Sequence, residues 1–214
     1  MTPNTPTILP LTYLGNIFYY AHLISRHCII DIHSFYSRQN YTNRTSIVSS
    51  AGIQNLSIPT VAVNEKTAIK GIEISTHSDW QLQHWRSMET AYRSTPFYQY
   101  YRDELRPFYQ QQWTSLAQFD LEIQKFILFE LGYTDTNTTI SEQYIDYHIA
   151  GRNDCREVIN PKKFNVSLYS FLECPYYQVF SEKFGFTPNL SIIDLLFNMG
   201  NESRLYLQKI ANQL

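Results

Sequence analysis

Glycine, cysteine and charge are all scarce in this 214-residue chain. Seven glycines leave little material for phosphate loops, and no GxGxxG or GxxxxGK[ST] run is present. Three cysteines, Cys28, Cys155 and Cys174, stand far apart without a CxxC, which reads as packing thiols in a reducing compartment. No run of about 18 apolar residues occurs, so no membrane insertion is expected. The opening MTPNTPTILPL lacks a basic and then apolar leader pattern, and the chain reads as cytoplasmic. Charged residues make up 17%, with 17 basic against 19 acidic and a net charge of −2. Without a basic excess, nucleic acid is not an expected partner. HExxH, GxSxG, EF-hand and zinc-finger spacings are missing too, so zincins and serine hydrolases are not expected and no metal ligands are assigned.

What the chain has is apolar and aromatic mass: 43% apolar residues, with 17 Tyr and 13 Phe. That excludes a disordered chain, and the length suits one domain over residues 1–214. The pattern predicts an α/β fold, with α+β as the alternative: one sheet of about five strands from the first third, packed by later helices. Strands are expected at Thr7–Leu9, Cys28–Ile32, Ser46–Val48, Leu56–Pro59 and Lys70–Ser75. The Ile17, Tyr20, Ala21 and Ile24 stripe predicts a first helix, and Ser78-x-x-Gln81 suggests a capping box for a second. Leu116 to Glu130 is the clearest helix, closed by Gly132, while Pro107 divides an aromatic stretch into two short ones. Ser191 to Asn198 is apolar almost all round, which predicts a buried helix ending at Gly200. Residues 133–178 carry no legible pattern.

Three constellations carry candidate chemistry. The polar segment Tyr36 to Arg44 should lie at the carboxyl end of a buried strand, where open α/β sheets bind ligands. Arg38 and Arg44 offer forks for phosphate or carboxylate, Tyr41 offers a stacking face, and Asn43 a polar contact. A solvated loop explains the same residues. The second constellation sets His84 beside Trp80 and Trp85, where a depressed pKa would suit a general base; a plain aromatic helix is the alternative. In the third, Asn189 or Ser191 caps the buried helix, and Asp194 in its first turn needs a partner or serves chemistry. The six histidines, His22, His27, His33, His77, His84 and His148, show no ligand spacing.

At these places the sequence resembles the WbqC-like family of bacterial surface-polysaccharide gene clusters. The matching residues are Pro10 to Asp31, Gln39 to Arg44 (QNYTNR), His84-Trp85, Ala91-Tyr92, Pro96-Phe97 and, most specifically, Pro188 to Asn198. Many members carry Trp where Tyr41 stands and a longer stretch before Pro175-Tyr176. The resemblance implies a role in O-antigen or capsule biosynthesis, and glycine transfer onto an amino sugar has been proposed for such proteins. The strand-loop-helix-strand opening, with Gly15 in its turn and His22 on its helix, also resembles adenylyl-transfer nucleotidyltransferases; packing is the alternative for His22.

The sequence thus predicts a transferase acting on a nucleotide-sugar or amino sugar, its cofactor unknown. His84 and Asp194 are its candidate catalytic residues; Arg38, Tyr41, Asn43, Arg44, Trp85 and Asn189 are its candidate binding residues. A non-catalytic binding or assembly protein, with a protein partner, is the alternative. If one site exists, Asn43-Arg44, His84-Trp85 and Asn189–Asp194 should meet in space, with Asp194 anchoring Arg44 or Asn43.

Overall fold

A computed structural model describes residues 5–62, 64, 66–147 and 153–214. The chain opens with a β-α-β unit: β1 (Thr7–Pro10), α1 (Ile17–Ser25) and β2 (Cys28–Asp31). β1 and β2 pair in parallel from Thr7 opposite Cys28 to Pro10 opposite Asp31. A hairpin follows, β3 (Arg44–Ser49) against β4 (Gly52–Ser57), in a separate antiparallel pair. α2 (Trp80–Tyr92), α3 (Tyr98–Leu105) and α4 (Leu116–Glu130) come next. β5 (Thr138–Ile140) then returns beside β2, giving a parallel sheet in the order β1-β2-β5. Near the C-terminus lie α5 (Ser181–Phe184), α6 (Ile192–Met199) and α7 (Glu202–Ala211).

Local chemistry explains most of these boundaries. Asn16 caps α1 by accepting from the Tyr19 N–H at 2.9 Å. Ser115 caps α4 by accepting from the Gln118 N–H. α4 ends in a Schellman motif: Gly132, at φ 78°, donates to Phe129 O, and Tyr133 donates to Leu128 O. Pro107 lacks an N–H to continue α3, which gives way to a 3-10 turn over Arg106–Tyr109. The buried helix α6 closes at Gly200, at φ 54°. α1 is buried along Ile17 to Leu23 and packs mainly on α7 and α6, so the first and last thirds share one core.

The fold class is mixed α/β, but the strands divide differently from the expected single sheet of five. Lys70–Ser75 is not a strand: Ile69–Gly71 forms a 3-10 turn, and Glu73 and Ile74 make only isolated bridges to Ser115 and Thr60. The third member of the parallel sheet is β5, from the stretch without a legible pattern. α2 begins at Trp80 behind Asp79 without a side-chain cap bond, so the Ser78 to Gln81 capping box is not formed.

Candidate functional site

All three strands of the parallel sheet end toward one region. β2 ends on Asp31, which is fully buried. Its Oδ1 accepts from the His33 N–H at 2.9 Å and from Ser141 Oγ, just past β5, at 3.0 Å. Its Oδ2 accepts from Ser34 Oγ and from Arg156 Nη1. Asp154 bridges in parallel to Ile8 of β1, so the chain delivers Arg156 to the same sheet end as Asp31. Arg156 completes the clamp by donating from Nε and Nη2 to Asp154, the latter at 2.6 Å. Burial opposes the guanidinium charge, but the bonds to Asp154 and Asp31 more than offset it and hold its pKa above the ordinary range. The Tyr147 ring lies against the guanidinium, 4.2 Å from ring centroid to Cζ.

Above this clamp opens a cavity of about 340 Å³. That is the lower end of the range that small-molecule sites occupy. Pro10 of β1, Ser37, Asn40 and Thr42 of the Tyr36–Arg44 segment, and Asn160, Lys162 and Lys163 are among its lining residues. Lys162 and Lys163 are exposed, and Lys163 pairs with Glu157. Two carboxylates already neutralise Arg156 and Glu157 balances Lys163, so the unbalanced positive charge at the rim is that of Lys162. Amides and hydroxyls supply the remaining contacts.

The sequence-predicted residues fall in three groups. The Tyr36–Arg44 segment does sit at the carboxyl end of β2, yet Ser37, Asn40 and Thr42 line the cavity rather than Arg38, Asn43 or Arg44. Arg38 is exposed; Arg44 Nε donates to Ser57 Oγ at 3.0 Å, and Asn43 Nδ2 to Ile58 O at 2.9 Å. Tyr41 is half-buried, and its carbonyl accepts from the Tyr13 N–H.

His84 is 5% exposed and lies edge-on to Trp80, with ring centroids 5.2 Å apart. Its Nδ1 is 2.9 Å from Tyr13 Oη, which in turn meets Tyr109 Oη at 2.7 Å, and the ring also bonds the Ser57 backbone. Burial lowers its pKa to about 4, partly countered by the Ser57 bond. The depression expected beside a tryptophan is present, but the imidazole is a closed strut between the hairpin and the Tyr13 loop. A general base must reach its substrate, and this ring is enclosed. Trp85, half-buried, packs on Tyr109.

Asp194 does not anchor Arg44 or Asn43. It accepts from Tyr92 Oη at 2.9 Å, Tyr176 Oη at 2.5 Å and Gln178 Nε2 at 3.2 Å. Burial raises its pKa to about 6 against the pull of those three donors. Asn189, at φ 56°, caps α1 rather than its own helix: its Oδ1 accepts from the Phe18 N–H at 2.9 Å, beside Ile17 N–H to Leu190 O. Ser191 ties the same region together, donating from N to Ser46 O and from Oγ to Leu14 O. Residues in and beside these segments meet at the Tyr13 loop: Tyr41 O accepts from the Tyr13 N–H, His84 meets Tyr13 Oη, and Thr45 Oγ1 and Ser191 Oγ both donate to Leu14 O. His22 is also buried, edge-on to Phe18; His148 lies outside the described residues. No described group of three His, Cys, Asp or Glu side chains is placed to hold a metal.

Sequence reasoning missed Arg156, Asp154, Lys162 and Lys163. The signals that were available are Asp31 at a strand end and the Asp-x-Arg spacing of residues 154 and 156, which lets Arg156 bond the Asp154 carboxylate from both its backbone N–H and its guanidinium.

The family model of WbqC-like proteins matches residues 13–160, more than half the chain. The chain belongs to the WbqC-like protein family. In this WbqC-like chain the matched stretch includes Asp31, Asn40, Asp154, Arg156 and Asn160 of the clamp and cavity, and stops just before Lys162 and Lys163. An uncharacterized protein of Mycobacterium tuberculosis is 25% identical over 194 residues, covering 81% of this chain and 84% of that protein. No solved structure matches. Among the described residues, no helix is long and apolar enough to cross a membrane.

Proposed function

We propose that this WbqC-like protein is a transferase of bacterial surface-polysaccharide biosynthesis, acting on O-antigen or capsule precursors. Its substrate is a phosphate-bearing sugar, held in the cavity at the carboxyl ends of β1 and β2. The observation that carries this reading is the cavity's composition: exposed Lys162, and Lys163 paired with Glu157, beside Asn40, Asn160 and Ser37, over a buried Asp31–Arg156–Asp154 clamp. The lysines attract a diphosphate as point charges. The amides and hydroxyls match sugar hydroxyls in both hydrogen-bonding senses. In the reaction proposed, an amino sugar's nitrogen attacks an activated acyl carbonyl and forms a C–N bond, the bond from the acyl carbon to the donor's leaving group breaks with its electron pair going to that group, and the amine's proton passes to solvent.

Calorimetric titration with a uridine-diphosphate amino sugar tests this reading. Lys162→Ala/Lys163→Ala should weaken binding at least tenfold, since each charge-assisted contact contributes roughly 1.5–3 kcal/mol. Arg44→Ala, outside the lining, should bind like wild type. Equal heats for wild type and the lysine variant, or none for either, would remove the assignment. A second reading, a non-catalytic partner of glycosylation enzymes, draws on Leu168, Tyr100 and Leu205, which are 74%, 72% and 67% exposed. A stable complex in a pull-down, without turnover of any activated sugar or acyl donor, would favour it.

A further inference from the structure

A second depression, of about 570 Å³, lies where the 3-10 turn Arg106–Tyr109 leads toward α4. Its lining differs in kind from that of the cavity. Phe108, Gln111, Gln112, Trp113, Gln118 and Glu122 face it; Glu122 is the one charged lining residue, and no lysine or arginine takes part. A phosphate or carboxylate ligand would meet a carboxylate and no cation there, and a cation would find a single charge.

The floor of this groove is built in advance. The Phe108 and Trp113 rings lie parallel to within 6°, with centroids 6.2 Å apart, and both residues are half-buried. Trp113 Nε1 donates to Phe108 O at 2.9 Å, which ties the indole to the turn that carries its neighbour. Gln81 of α2 donates from Nε2 to Phe108 O at 3.2 Å and to Gln111 O at 2.7 Å, fixing the backbone from beneath. Ligand binding therefore pays little ordering entropy in this wall. Above it, Gln111, Gln112 and Gln118 are exposed, and among the described residues none of their side-chain amides is engaged in a hydrogen bond.

Free amides present a donor pair and an acceptor side by side, the complement of neighbouring hydroxyls that both donate and accept. The parts of the Phe108 and Trp113 rings left open by their packing on each other, Phe126 and Phe119 offer apolar area to a ring whose edges are polar. We infer that this groove binds a neutral carbohydrate. A sugar ring lies with its C–H face against this open aromatic area, its hydroxyls bridge the three amides, and Glu122 accepts from one more. The inference rests on the groove's own lining and does not depend on what the Lys162–Lys163 cavity binds.

The test is a nuclear magnetic resonance titration of the full chain, following the side-chain amides of Gln111, Gln112 and Gln118 and the Trp113 indole. The probes are neutral disaccharides of N-acetylglucosamine, galactose and mannose, with uridine diphosphate as the anionic control. At least one neutral disaccharide should shift these signals saturably, with little salt dependence because no ion pair forms. Gln112→Ala/Gln118→Ala, two exposed positions that leave the core intact, should weaken that binding about tenfold, as two lost neutral hydrogen bonds predict. Lys162→Ala/Lys163→Ala should leave it unchanged, which separates this groove from the cavity. No saturable shift with any of the three disaccharides, or shifts at these residues produced by uridine diphosphate, would overturn the inference.

Discussion

His84 makes the protein sensitive to acid in a way that can be worked out beforehand. The imidazole is neutral in the fold, with a pKa lowered to about 4 by burial, whereas an unfolded histidine titrates near 6.5. Between those values the unfolded chain binds a proton that the native chain refuses, so stability rises with pH across the interval and is lost as pH falls through it. At about 1.4 kcal/mol per pKa unit, the full effect is roughly 3 kcal/mol, of which about 2 kcal/mol falls between pH 7 and pH 5. His84→Gln keeps a polar side chain at the Tyr13 and Ser57 contacts and removes the titration. Urea unfolding of wild type and variant at both pH values measures the difference. Wild type should lose about 2 kcal/mol more than the variant on going to pH 5. Parallel losses in the two proteins would show that His84 charges without cost, refuting its role as a closed strut. His22, also lowered to about 4 by burial and by Arg26, should add a similar increment, which a double variant would remove.

Asp194 should act in the opposite sense: its carboxyl is raised to about 6, so it favours the fold below about pH 4 and that contribution is lost as pH rises through 6. Asp194→Asn should abolish this fall, seen as a smaller wild-type-minus-variant stability at pH 7 than at pH 4. Gly200→Ala should cost about 2–4 kcal/mol by chemical denaturation, because φ is 54° and the added Cβ would meet the Phe97 ring at 2.5 Å. Asp31→Asn should cost about 1–3 kcal/mol, because Asp154 still balances Arg156 but the amide nitrogen cannot accept from Ser34 or the guanidinium as Oδ2 does. Adding Arg156→Gln should then cost far less than it does alone, a coupling that a double-mutant cycle would read directly.

The parts of the fold legible in the sequence are those whose determinants lie close together along the chain. Asn16 and Ser115 cap helices that begin one residue later, and Gly132 and Gly200 end helices where positive φ is required. Ile72 and Ile74 alternate like a strand, but the alternation records two buried side chains in a bridging segment rather than a ladder. β5 escaped because Thr138–Ile140 is three residues long and mostly polar, and becomes a strand only by pairing with β2. The candidate site was half legible. The cavity-facing end of β2 follows from its apolar run, but the clamp on Asp31 comes from Arg156, 125 residues away. His84, Asn189 and Asp194 stand out in the sequence because buried polar groups need specific partners, and those partners prove to be tyrosines, a glutamine and backbone groups.

The most direct measurement is a crystal structure of the protein with a uridine-diphosphate amino sugar bound. Diphosphate density against Lys162 and Lys163, with the sugar toward Asn40 and Asn160, is the predicted result. Well-ordered ligand at Arg38 and Arg44 with the cavity empty would contradict the account.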